Sequence, residues 1–221
     1  PALWLLGKAP PRQRRSAMPA GLKGYAAILS DIKAYPDLVL FLIAFLLYND
    51  GIQTIIAVSA VFARDVLQLP RGSVIGCFLM VQFMAMPGAL FFGWLAGGWG
   101  AKKVILLTLV LFTGVTAFAA TITTSLQFWV LGFVVALVLG GSQAASRSLF
   151  ASMIPAGRNA EFFGFYALSA KFASILGPFL FALLADVTDA PRLSILALIL
   201  FFGLGALLLA LVAGFLVSWL A

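Results

Sequence analysis

The chain has 221 residues, 63% of them apolar and 10% charged, with a mean hydropathy of +1.13 and a net charge of +7. Soluble domains are close to half apolar, so a soluble fold is excluded, and spans of about 20 residues each leave room for six membrane crossings. No histidine, a single cysteine (Cys77) and seven scattered Asp and Glu residues argue against zinc or carboxylate metal sites, histidine-held haem, disulfides within the chain and Ser-His-Asp catalysis.

Residues 1–36 are polar and punctuated. Pro10, Pro11 and Arg12-Gln13-Arg14-Arg15 form a basic linker. Leu3-Trp4-Leu5-Leu6 precedes that basic run, the reverse of a signal peptide's order, and reads as the tail of an earlier helix; the chain is expected to be a fragment or one half of a longer protein. Leu22, Tyr25, Ile28, Leu29 and Ile32 recur at helical spacing. They leave two readings open, an amphipathic helix on the membrane surface and a short helix in a solvated linker.

Residues 37–221 read as six spans, at 37–64, 72–97, 103–122, 126–153, 160–187 and 193–219. Short loops favour antiparallel neighbours. Lys8, Arg12, Arg14, Arg15, Lys23, Lys33, Lys102, Lys103 and Arg158 fall on one side of the membrane; Arg64, Arg71 and Arg192 fall on the other. This positive-inside bias accounts for the net charge without nucleic acid as a partner, and it puts the linker and the C-terminus in the cytoplasm. A bacterial inner membrane is the expected location.

Spans one and four carry clustered polar residues. Spans two and five each carry Pro beside Gly (Pro87-Gly88 and Gly177-Pro178), and spans three and six carry no interior charge. This three-plus-three order fits an inverted repeat, the plan of one half of a major-facilitator transporter. Both prolines are expected to kink their helices, which leaves two readings open, a gate and the proline that ordinary membrane helices tolerate.

Ionisable groups deep in a span are rare, and usually face a bundle interior or a water-filled path. On span one, Asn49 and Gln53 are four apart, as are Asp50 and Thr54, so the four are expected to share one broad face lining a polar cavity. On span four, Gln143 and Arg147 share a face that Ala136 and Gly140 continue. Arg147 is either a cavity residue suited to a carboxylate or phosphate, or an interface anchor that snorkels. Lys171 lies near the centre of span five. It either neutralises Asp50 in a buried pair or takes part in the pathway by binding an anion or trading protons. The Phe and Leu residues of spans three and six are expected to face lipid, with Trp94, Trp99, Trp129 and Trp219 in the interfacial belts.

These motifs resemble a known family. Tyr48-Asn49-Asp50-Gly51-Ile52-Gln53-Thr54-Ile55 is similar to the seventh helix of vacuole effluxer-like transporters, a branch of the major facilitator superfamily related to fungal autophagy-associated vacuolar amino-acid exporters. Gly141-Ser142-Gln143, Ser146-Arg147-Ser148 and Ile154-Pro155 resemble its tenth helix. Glu161-Phe162-Phe163-Gly164-Phe165-Tyr166, Lys171 and Gly177-Pro178 resemble its eleventh. The stretch from Gly93 to Lys103 resembles the superfamily's loop signature, but Gly97 stands where the signature has Asp and Gly98 where a basic residue is common. A gate latch through that carboxylate is therefore not expected, and Lys102 and Lys103 are left as ordinary positive-inside residues.

The resemblance implies the C-terminal six-helix half of a transporter. Its substrate cavity would be shared with an N-terminal six-helix half or a second copy, and faced by spans one, two, four and five. The expected function is secondary transport of a small polar solute such as an amino acid by alternating access, with proton coupling through Asp50 and Lys171. Two other readings stand beside it. One is an intramembrane enzyme using Ser146, Ser148 or Ser174 with Lys171; the other is a non-transporting membrane subunit.

Overall fold

A computed structural model describes residues 35–155, 157–172, 174–188 and 195–212. Residues 1–34, with the linker and its helical pattern, and Trp219 lie outside the described residues. Among the described residues seven helices are assigned: α1 (Pro36–Asp65), α2 (Arg71–Trp99), α3 (Ala101–Ala119), α4 (Ser125–Met153), α5 (Asn159–Phe172), α6 (Leu176–Thr188) and α7 (Leu198–Leu211). Four of them are long and apolar enough to cross a bilayer individually, and α5 with α6 makes a fifth span. At 1.5 Å rise per residue the 30 residues of α1 extend about 45 Å, beyond the roughly 30 Å of hydrocarbon.

The boundaries have local causes. Gly100, at φ 90°, turns the chain between α2 and α3 in a conformation that side chains disfavour. Thr124 opens α4 with a capping box: its hydroxyl accepts from the Gln127 amide, and the Gln127 side chain accepts from the Thr124 amide. Lys102, at the start of α3, reaches the last turn of α7 and donates to the carbonyls of Ala210 (3.0 Å) and Val212 (2.7 Å). It therefore caps a helix end and is more than a bulk topology charge.

The two prolines behave differently. Pro87 lies inside an uninterrupted α2. The backbone on both sides of it is pressed against α4: a Cβ on Gly88 would strike Leu137, and one on Gly140 would strike Ala85 and Ala89. This backbone-to-backbone contact of small residues is how membrane helices pack closely, and it flanks the proline on both sides. The expected span five is instead broken. In a continuous helix the Pro178 ring would collide with the Ser174 carbonyl four residues earlier. The chain leaves the helix at that point, where Ser174 bonds back to the Lys171 carbonyl through both its amide and its hydroxyl. Helix resumes at Leu176, which puts Pro178 in the first turn of α6, where a missing N–H is harmless.

The helix pairings support the three-plus-three repeat. α2 packs on α4 as the α5–α6 pair packs on α1, and α7 packs on α1 as α3 packs on α4. Exchanging the first three spans for the last three exchanges these pairs.

Apolar clusters close both ends of the bundle. At one end Phe45 and Tyr166 stack at 4.3 Å and Phe150 and Tyr166 at 4.8 Å, joining α1, α4 and α5. At the other, Phe62, Val74, Cys77, Ile122, Phe128 and Ile195 are buried together. Contrary to the expectation that α3 and α7 turn their aromatics to lipid, Phe112 and Phe202 are fully buried and stack on each other at 5.4 Å. Phe202 also fills the space left by Gly51. Trp94 (76% exposed) and Trp99 do face outward, whereas Trp129 packs on Gly76 and donates to Ser73 (3.0 Å).

The α2–α4 contact has a measurable consequence. Gly140→Ala should lower the thermal midpoint of the detergent-solubilised protein, at a cost of about 1–3 kcal/mol for overpacking. Gly93→Ala, where the added methyl meets nothing, is the control. Equal stability of the two variants would show that the close approach is not what holds the pair.

Candidate functional site

The middle of the bundle is polar where α1 and α4 face each other. Ser146 donates to the Ser142 carbonyl (2.6 Å), so its only proton is engaged and Tyr48 must be the donor in the 2.7 Å bond between their hydroxyls. One residue on, Gln143 donates to the Asn49 side-chain oxygen at 3.1 Å. These two cross-links set the register of α1 against α4. They also fix which side of each helix is left for a ligand.

That side opens into a cavity of about 650 Å³, within the usual range for small-molecule sites. Asn49 and Gln53 of α1, Gln143 and Arg147 of α4, Lys171 at the end of α5 and Ser174 in the break supply its polar wall. Small residues make room: Ala85 and Ala89 of α2, Gly140 and Ala144 of α4 and Ala170 of α5 stand in the wall, where larger side chains would fill the space. Arg147 and Lys171 are both exposed to the cavity side.

The broad face expected on α1 divides. Consecutive helical residues are about 100° apart, and that rotation separates Asn49 and Gln53, at the cavity, from Asp50 and Thr54, which are fully buried on the neighbouring face. Thr54 returns its hydroxyl proton to the Asp50 carbonyl (2.7 Å). Its side chain and the Asp50 backbone pack directly against Gly177 in the first turn of α6. Only glycine fits there, since a Cβ would overlap the Thr54 hydroxyl. The Asp50 carboxyl is sealed in, and neither of its oxygens has a hydrogen-bond partner among the described residues. The proposed Asp50–Lys171 pair is therefore not formed: Lys171 stands at the cavity and Asp50 behind it.

Gly88, Pro87, Gly177 and Pro178 do not line the cavity. Gly88 and Gly177 are contact glycines, and Pro178 sets the break. Of the serines considered for an enzyme, Ser146 is committed to Tyr48 and Ser142, and Ser174 bonds the Lys171 carbonyl and not its amine. Among the described residues no group of three or more His, Cys, Asp or Glu is placed to hold a metal. The seat of Gly177 against Thr54 is one feature that sequence inspection missed; the Gly177-Pro178 pair signalled a kink there, not a close contact.

The Asn49–Gln143 bond can be tested by a double-mutant cycle of Asn49→Ala and Gln143→Ala, read by unfolding in detergent. A coupling of about 0.6 kcal/mol is expected, the usual size for a hydrogen bond between membrane helices. Additive single effects would mean the bond does not form.

Comparison with known proteins agrees with this architecture. Residues 1–214 match the model of the family described as "Vacuole effluxer Atg22 like". An MFS-type transporter of Bacillus subtilis, YxiO, is 38% identical over 181 residues, covering 82% of this chain and 42% of the relative. Autophagy-related protein 22 of Saccharomyces cerevisiae (strain S288c) is 30% identical over 173 residues, covering 72% of this chain and 32% of its own length. The Kluyveromyces lactis protein of the same name is 27% identical over 184 residues, covering 78% and 37%. The chain thus spans between 32% and 42% of the length of these relatives. It is an integral, multi-pass membrane protein built on the plan of a major-facilitator half, and it belongs to the vacuole effluxer Atg22-like family of transporters.

Proposed function

We propose that this chain is the C-terminal six-helix half of a secondary-active transporter that moves a small polar solute by alternating access. The observation that carries the reading is the open polar cavity on one flank of the bundle, walled by α1, α2, α4 and α5. A second bundle, either an N-terminal half or another copy, would complete the cavity and rock against this one. The partial coverage of the relatives favours such a partner. Solutes of amino-acid size suit the cavity. The proposed setting is a bacterial inner membrane, with the α2–α3 turn and the end of α7 on the cytoplasmic side.

Proton coupling belongs to the same proposal, with Asp50 as the proton-carrying group. A carboxylate sealed from water without a hydrogen-bond partner costs several kcal/mol if ionised. A bound proton removes that cost. Among the described residues the group that acts on the Asp50 carboxyl is the Gly177 amide at the head of α6, which falls short of a full hydrogen bond. A movement that opened the α1–α6 seam would hydrate the carboxyl and release the proton.

Uptake and efflux of labelled amino acids in proteoliposomes test the proposal. Wild-type flux should rise when a pH gradient is imposed. Asp50→Asn, fixed in the neutral form, should abolish that stimulation while retaining exchange at equal pH. Flux indifferent to the gradient removes the coupling, and absence of flux for every amino acid leaves the non-transporting subunit as the better reading.

A further inference from the structure

The charges at the cavity are of one sign. Among the described residues its polar wall holds two cations, Arg147 and Lys171, together with the neutral side chains of Asn49, Gln53, Gln143 and Ser174, and no carboxylate. Among the described residues the one acid in the middle of the bundle, Asp50, is buried on another face and pairs with neither cation. Glu161 is engaged elsewhere, bonded to Arg158 at 2.8 and 3.0 Å. Two cations in a recess with low-dielectric walls repel each other and focus a positive potential into it. An anionic group entering the recess relieves both effects.

We infer that this half carries an anion site: Arg147 and Lys171 together hold a carboxylate or phosphate of the solute, and this half offers no counter-charge for a solute's ammonium group. The inference deepens the proposed transport function and rests on the cavity being the solute path. Arg147 suits the role because a guanidinium fork binds either anion with two parallel hydrogen bonds. Lys171 adds a point charge from the mouth of the helix break, and the amides of Gln53 and Gln143 are placed to recognise the rest of the solute. Amino acids enter this scheme through their carboxylates, so a solute lacking the ammonium group should bind as well as one that has it.

Thermal stabilisation of the purified protein in detergent tests this, since a ligand of the folded state raises the midpoint as its concentration exceeds its Kd. The probes are N-acetylleucine, succinate and glycerol 3-phosphate as anions, leucine as zwitterion, and leucinol and putrescine as cations. Anions should raise the midpoint in a dose-dependent way, and cations should not. Succinate against glycerol 3-phosphate separates carboxylate from phosphate preference. Arg147→Gln should weaken the effective anion roughly ten- to a hundredfold, the loss typical of one charged hydrogen-bond partner. Gln53→Glu, which adds an acid to the wall without removing a cation, should weaken it too. Unchanged midpoints without probe show that both variants fold.

Stabilisation by cations alone, by no probe, or by anions with unchanged affinity in both variants would overturn the inference. Leucine flux in proteoliposomes separates it from the proposal beneath it. Flux that survives Arg147→Gln unaltered sinks the anion site and leaves the transporter standing. Anion binding without flux of any amino acid keeps the site and removes the amino-acid assignment.

Discussion

Unpaired polar groups are costly in hydrocarbon, and this constraint organises the bundle. Every hydroxyl with a resolved partner in the helix interiors either returns to a carbonyl three or four residues earlier or crosses to a neighbouring helix. Thr54, Thr108, Thr113, Thr116 and Ser146 take the first course. Tyr48 takes the second, and the Gln143 amide likewise crosses to Asn49. These two cross-links join α1 and α4, the two helices that carry clustered polar residues, while Trp129 on Ser73 ties α4 to α2 nearer its end. Their pairing brings the equivalent members of the two three-helix repeats together at the centre. The remaining helices pack around that seam through apolar side chains and small-residue contacts.

Against this background the two glycine–proline sites do different work. At Gly88 and Gly140, α2 and α4 touch backbone to backbone, and the helix passes through Pro87 unbroken. At Gly177 the close contact is with α1, and Pro178 begins a new helix. The same dipeptide chemistry yields a clamp in one repeat and a break in the other. The inverted repeat is thus preserved in its helix pairings and not in its detail, and the asymmetry puts Lys171 and Ser174 at the lip of the cavity.

Much of this was legible in the sequence, because a strong hydrophobic signal interrupted by a few polar residues leaves little freedom. The spans 37–64, 72–97 and 126–153 match α1, α2 and α4 within a few residues. Asn49, Gln53, Gln143, Arg147 and Lys171 were singled out by depth and spacing, and they meet at one cavity. Asp50 was misplaced because four polar residues within six positions suggest one face, while a 100° step per residue puts Asp50 and Thr54 on the next. That the chain leaves the helix at Ser174 and Ile175, and not at Gly177-Pro178 itself, follows from a clash four residues upstream of the proline, which composition does not display. Phe112 and Phe202 looked lipid-facing because apolar residues inside and outside a membrane bundle are chemically alike; only packing distinguishes them. Lys102 was counted as a topology charge, and nothing local marks it as the cap of a helix more than a hundred residues away.

A cavity wall with Arg147 and Lys171 and no acid also has an electrical meaning. In the proposed transport cycle the empty cavity would carry two positive charges, with no acid among the described residues of its wall, through a change of exposure. Each elementary charge moved through the full membrane potential is worth about 2.3 kcal/mol per 100 mV. A loaded carrier holding a monoanion and an empty one therefore feel different forces from the same voltage. In a cell whose interior is negative, the potential favours keeping the unoccupied cations toward the cytoplasm. In that proposed cycle voltage, and not only the solute gradients, would bias which side of the membrane the empty site faces.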